Sequence, residues 1–224
     1  MTGRTAPLRL AILISGRGSN MLAIARACAA GAIDAQVAGV IADRADAAGL
    51  AAARGLGLEA FALPARDFAS RAAFEAALGT RLDALRPELV ILAGFMRILG
   101  AGFVARYPGR MLNIHPSLLP AYRGLHTHRR VLEAGERLHG CSVHYVTEEL
   151  DGGPVVLQGR LTVRADEDEQ ALSARVQAIE HNLYPRAIGW IATGRLAWRD
   201  ERAWLDGRPL AAPIVEDFDA TEAH

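Results

Sequence analysis

Residues 8–14, Leu-Arg-Leu-Ala-Ile-Leu-Ile, form the first apolar run, which breaks off at Ser15-Gly16-Arg17-Gly18-Ser19-Asn20. A short run of branched side chains bounded by glycine reads as a buried strand closing in a turn. From Met21 to Ala27 the apolar spacing is helical, with Gly31 as terminator. The same switch of period recurs. Residues 35–42 read as a second strand and 45–54 as an alanine-rich helix ended near Gly55. Residues 58–63 read as a third strand and 68–85 as a long amphipathic helix, with Gly79 its weak point. Residues 88–93 are almost wholly apolar, the form of a strand covered on both faces. A short helix over 98–106 and a fifth strand over 111–114 complete the series.

Past Ile114 the pattern changes. Residues 140–146 and 155–163 are strand-like runs separated by the turn Asp151-Gly152-Gly153-Pro154, which predicts a long antiparallel hairpin on the sheet's edge. Asp166, Glu167, Asp168 and Glu169 open a helix that runs to about Trp190, where acids suit its positive end and Pro185 perturbs its course. Residues 196–205 read as a terminal hairpin. The fold class expected is α/β: a doubly wound, mostly parallel, Rossmann-like sheet with an antiparallel hairpin in its C-terminal half. No repeat or linker divides the chain. One domain over 8–207 is expected, with halves 8–110 and 111–207, and 208–224 as a loose tail.

Composition narrows this. The chain has 224 residues, 51% of them hydrophobic, enough for a substantial core. Lys plus Arg and Asp plus Glu number 25 each, so there is no global basic footprint for nucleic acid. Cys28 and Cys141 stand far apart, which implies neither a disulfide framework nor a zinc site and suits the cytoplasm. No signal-peptide pattern opens the chain, and no apolar run reaches the roughly 18 residues of a membrane span.

Two stretches carry candidate chemistry. Glycines in 15–20 permit a sharp turn and leave N–H groups exposed at a helix start, a ready anion site to which Gly18, Ser19 and Asn20 contribute. A tight turn that binds nothing has the same spelling. A dinucleotide fingerprint would put Gly or Ala at position 21, where this chain has Met21; Asp43 stands where a ribose-binding acid would fall. The second stretch is Asn113-Ile114-His115-Pro116-Ser117-Leu118-Leu119-Pro120. Alternation puts Asn113 and His115 on one side of a strand end, where open α/β sheets bind ligands. The amide can donate to an oxygen gaining charge, and the imidazole can donate or shuttle a proton. Asp151, beside two glycines, is the carboxylate best suited to hold an imidazolium. Singly, Asp151 also suits a plain turn and His115 a buried polar residue. No nucleophilic-serine elbow is present, and His126, His128, His139 and His144 match no metal spacing, so no metal is expected.

Taken together, the chain from Leu10 to about Leu205 resembles the phosphoribosylglycinamide formyltransferase family, folate-dependent enzymes of purine synthesis. The resemblance is carried by residues 14–20, by Leu92-Ala93-Gly94-Phe95-Met96-Arg97-Ile98-Leu99, by 112–120, by Gly124-Leu125-His126-Thr127-His128 and by Glu149-Leu150-Asp151-Gly152-Gly153-Pro154. It implies small-molecule substrates, phosphoribosylglycinamide and the formyl donor 10-formyltetrahydrofolate, and a monomer or homodimer. It implies Asn113, His115 and Asp151 as catalytic residues. Gly18, Ser19, Asn20, Gln177 and Glu180 would hold the ribonucleotide; Arg71, Met96, Arg97, Ile98, Leu99 and Asn113 would line the folate site. On that basis 8–110 is the phosphate-binding half and 111–207 the catalytic and folate half. One departure stands out: Arg123 occupies a position where the family carries proline. The competing expectations are a formyltetrahydrofolate deformylase, which would carry an N-terminal regulatory domain before a strand that here starts by Leu8, and an NAD(P)-dependent oxidoreductase. A methionyl-tRNA formyltransferase would need a further C-terminal domain and a basic face.

Overall fold

The computed structural model describes residues 6–219. Strands β1 (Leu8–Ile14), β2 (Ala35–Ala42), β3 (Ala60–Ala62), β4 (Leu89–Leu92) and β5 (Met111–His115) run parallel, side by side in the order β5-β4-β1-β2-β3. The hairpin β6 (Leu138–Tyr145) and β7 (Val155–Thr162) continues the sheet antiparallel to β5. Strands β8 (Leu196–Arg199), β9 (Arg202–Leu205) and β10 (Arg208–Pro209) form a small separate antiparallel sheet. Strand β11 (Ile214–Asp217) then returns to pair parallel with β7.

Alternation along the strands divides the core in two. Leu8, Leu10, Ile12 and Ile14 of β1 pack with Met21 and Ile24 of helix α1 (Ser19–Ala29), Leu50 of α2 (Ala48–Gly55) and Leu183 and Ile188 of the long last helix, whose bounds follow below. Ala11 and Leu13 point the other way, onto Phe74, Leu78 and Leu82 of α3 (Arg71–Leu85). Burial on both faces is why the central strands read as unbroken apolar runs. Truncating such a side chain, Leu82 for one, removes about 2–5 kcal/mol.

Helix α3 starts at Arg71 rather than residue 68 because the Ser70 hydroxyl caps it, accepting from the Ala73 N–H at 3.1 Å. At Gly79 the Arg106 guanidinium lies against the helix, 2.1 Å from where a Cβ would stand, and pairs with Asp83 at 3.0 Å. The helix expected over 98–106 shrinks to α4 (Ala101–Val104), leaving 96–100 as a loop. Helix α5 (Thr127–Glu133) is an element the sequence pattern does not predict, with His126 as its N-cap residue in the left-handed region (φ 56°). Helix α6 (Glu169–Ala192) starts where the Asp168 carboxylate accepts from the Ala171 N–H, and it continues through Pro185. The lost backbone bond there is outweighed by burial of Leu183, Tyr184, Ala187 and Ile188 on one face.

The tail is the main correction. Up to Asp219 it is not loose: β10 pairs with β9, β11 caps the sheet, and Arg160 grips Asp217 with bonds of 2.6 and 2.7 Å. The β6–β7 hairpin is therefore one strand in from the edge. Residues 220–224 lie outside those described. Among the described residues, no helix is long and apolar enough to cross a membrane.

Candidate active site

Strands β1, β4 and β5 are neighbours, so the loops leaving their carboxyl ends meet. The first wraps Gly18, in the left-handed region (φ 73°), into the start of α1. A Cβ on Gly18 would lie 3.1 Å from the Gly49 Cα, so two glycines let the starts of α1 and α2 touch. No side chain caps α1, and its first-turn N–H groups face outward. Met21, which spoils the dinucleotide fingerprint, is fully buried beneath this turn.

The turn lines a cavity of about 230 Å³ together with Gln177 and Glu180 from α6. Asn20 Nδ2 donates to Glu180 Oε2 at 2.7 Å, and burial pushes the Glu180 carboxyl up to about 7. Sequence reasoning missed Ser173 and His128, which also line this cavity. The His128 Nδ1 lies 2.9 Å from Nε2 of His139, and burial lowers both imidazoles, His139 to about 4. Ser173 stands one helical turn before Gln177, a spacing visible only once α6 is known to face the cavity.

Ile114 lines the same cavity, while Asn113 and His115 point to the opposite face of β5. Helix α4 covers the start of this face through Phe103 and Val104 on Met111, and at the strand's end the loop after β5 and the turn between β6 and β7 fold over it. Asp151, also left-handed (φ 49°), brings Oδ2 to 3.5 Å from His115 Nδ1. The same oxygen accepts the Gly124 N–H at 2.9 Å. His115 Nε2 lies 3.0 Å from the Tyr122 carbonyl, so both ring nitrogens of an imidazolium face oxygen acceptors. Asn113 sits directly across from His144, whose Nε2 is 3.0 Å from its Nδ2. The His144 Nδ1 faces the Tyr145 carbonyl at 2.9 Å and must donate to it; burial lowers this imidazole to about 4. Neutral His144 thus accepts from Asn113 and aims the amide's second N–H at the cavity. The sequence pattern puts His144 in the strand-like run 140–146 without indicating this partner.

Met96, Arg97 and Ile98 form a shared wall. On one side is the ≈ 180 Å³ cavity over Asn113, His115 and Asp151; on the other is an open cleft of ≈ 610 Å³ that Arg71 and Phe74 also line. Met96 and Ile98 are 65% and 61% exposed, an unusual state for such side chains and one that suits a ligand-facing wall. Leu99 lines a smaller adjoining space with Asn113. Asp43, the acid a dinucleotide reading would give to a ribose, is buried and holds Arg97 Nε at 2.8 Å. Ser117 is no nucleophile: its buried hydroxyl donates to the Ala121 carbonyl at 2.6 Å. No group of three or more metal-ligating side chains occurs among the described residues.

Residues 8–188 match the family model described as formyl transferase. The chain belongs to this family. It is 51% identical to the phosphoribosylglycinamide formyltransferase of Escherichia coli (strain K12), over 91% of this chain and 96% of that one. The Haemophilus influenzae enzyme of the same name is 41% identical over 90% and 95% of the two chains. A solved structure of the phosphoribosylglycinamide formyltransferase from Coxiella burnetii superposes with a TM-score of 0.88 at 46% identity, covering 93% of this chain and 99% of that one. Neither rival expectation gains support. The likeness to formyl transferases spans both halves of the sheet, so the glycine turn and the Asn113–His115 strand belong to one family pattern.

Proposed function

We propose that Asn113, His115 and Asp151 are the residues through which this chain performs its reaction. That reaction is transfer of the formyl group of 10-formyltetrahydrofolate to the amine of phosphoribosylglycinamide, a step of purine biosynthesis. The supporting observation is the meeting of three side chains, distant in sequence, over a cavity whose Met96 wall also borders the anion-binding turn. The ribonucleotide phosphate lies on the N–H groups of Gly18, Ser19 and Asn20, and Gln177 and Glu180 face its glycinamide end. The folate packs on Met96, Ile98 and Leu99, with Arg97 and Arg71 toward its carboxylates.

The amine attacks the formyl carbon, forming a C–N bond and placing negative charge on the formyl oxygen. Asn113 and the His115 imidazolium donate to that oxygen. Asp151 holds the imidazolium and fixes its ring. Collapse of the intermediate breaks the bond to folate N10, and the proton given up by the amine ends on N10. Since His115 donates to the Tyr122 carbonyl without substrate, that bond yields when the oxygen arrives.

The test is a single assay. Protein is mixed with 10-formyltetrahydrofolate, and consumption of the formyl folate is followed with and without phosphoribosylglycinamide. Consumption that requires the amine, and drops sharply in Asp151→Asn, is expected. Consumption independent of the amine would make the chain a hydrolase, and an undiminished Asp151→Asn would remove Asp151 from the chemistry.

A further inference from the structure

Three consecutive residues, Tyr122, Arg123 and Gly124, each reach the catalytic face by a different group. The Tyr122 carbonyl takes one His115 nitrogen, and the Gly124 N–H takes Asp151 Oδ2. Between them, the Arg123 guanidinium pairs with the Glu149 carboxylate, two residues before Asp151. The loop after β5 is therefore tied back to its own strand at Tyr122 and joined to the turn after β6 at two successive positions, Arg123 and Gly124, of which the first is an ion pair.

The turn is shaped to permit this pair. The Glu149 side chain lies across Gly152, where a Cβ would fall 2.3 Å from its Cδ. A side chain at 152 would push the Glu149 carboxylate out of its present place. On the other loop the backbone is held from behind: Arg130 Nη1 donates to the Arg123 carbonyl at 2.7 Å, and its guanidinium lies over the Tyr122 ring. Tyr122 is left-handed at φ 54°, outside the broad backbone minima of a non-glycine residue, so the loop needs holding there, while Gly124 takes its φ of 80° freely.

We propose that Arg123 is a positioning residue, its ion pair with Glu149 clasping the loop that orients His115 to the turn that carries Asp151. This rests on the assignment of His115 and Asp151 as catalytic. Arg123 touches neither of their side chains; it acts by keeping the Gly124 N–H on Asp151 and, until the formyl oxygen displaces it, the Tyr122 carbonyl on His115. Reacting groups tolerate little misplacement, which is how a half-exposed ion pair comes to matter to rate.

The experiment compares Arg123→Ala, Glu149→Gln and the swap of Arg123→Glu with Glu149→Arg, at low and high salt. Each single variant is expected to lose about fivefold in kcat at low ionic strength, the upper range for an exposed pair, with both KM values within about twofold. The swap is expected to recover most of the loss. In the wild type kcat falls toward that of the single variants as salt rises, while theirs stays flat. Hydrogen exchange of the Gly124 amide, which reports the bond to Asp151 without turnover, accelerates in both single variants. Unchanged kcat and exchange in the single variants would overturn the proposal, as would a swap no better than either. An active His115→Ala would instead remove the catalytic assignment beneath it, so the two failures are separable.

Discussion

The two ends of the site are built in different ways. The proposed ribonucleotide end stands on regular structure: a helix start, a strand end and the inward face of α6, tied by one bond between Asn20 and Glu180. The proposed formyl end stands on two irregular segments laid over the end of β5, with Tyr122, Gly124, His126 and Asp151 all at positive φ. Holding an anion needs a fixed cradle of N–H groups, which a helix start supplies from contiguous residues. Stabilising a charge that exists only in passing needs donors brought in from several directions, and these are aimed only if other groups hold them. Here His144 holds Asn113, while the Tyr122 carbonyl and Asp151 hold His115. The difference predicts that damage at the formyl end appears in kcat, and damage at the other end in the KM for the ribonucleotide.

The largest effect should come from the formyl end. Asn113→Ala removes a donor to the developing oxyanion and should lower kcat by about 10²–10³ while leaving the ribonucleotide KM nearly unchanged. Steady-state kinetics with each substrate varied in turn would show it. A loss confined to KM would mean that Asn113 binds folate and nothing more. His144→Leu is the companion change: the amide stays but loses the acceptor that aims it, so kcat should fall by a smaller factor, about tenfold.

Gly18→Ala tests the opposite end. A side chain at φ 73° costs about 1–2 kcal/mol, and its Cβ would press on the Gly49 backbone at 3.1 Å. The turn shifts and its N–H groups leave the phosphate. The expected result is a ribonucleotide KM raised about tenfold, with kcat at saturation and the folate KM nearly constant. A collapse of kcat at saturating ribonucleotide would show that the two ends are not separable after all.

The same contrast decides what could be read from the chain alone. The glycine turn is a local object, and its residues lie together in sequence as they do in space. The pairing of Asn113 with His115 was legible for a similar reason, since two-residue alternation fixes their common side whatever the rest of the fold does. The partners were not. Nothing near His144 says that it faces Asn113, because the register between β5 and β6 depends on an intervening segment of more than twenty residues. Gln177 and Glu180 on their own resemble any solvated helix face, and only the family likeness pointed to them. The C-terminal stretch misled because β11 is short and polar, and what makes it a strand is a cross-strand grip, Arg160 on Asp217, that no local pattern records.

Glu180 gives the smallest effect, and it is read in stability rather than rate. Burial lifts its carboxyl from the ordinary 4.5 to about 7, even though the Asn20 amide, by donating to it, favours the charged form. The folded protein thus holds this proton more tightly than the unfolded chain does. Its contribution to stability is complete below about pH 4.5 and is lost as pH rises through about 7, by up to roughly 3 kcal/mol. Glu180→Gln keeps an acceptor for Asn20 and removes the buried charge, so its melting temperature should exceed the wild type's by up to about 10 °C at pH 8 and converge with it near pH 5. Binding should change in the opposite sense. The carboxylate that weakens the fold at pH 8 is the group proposed to face the substrate amine, so the stabler variant should bind the ribonucleotide less well. A Glu180→Gln protein no stabler at pH 8 than at pH 5, relative to wild type, would mean that the cavity already solvates this charge. The ribonucleotide end would then lose its claim to be the dry, preformed half of the site.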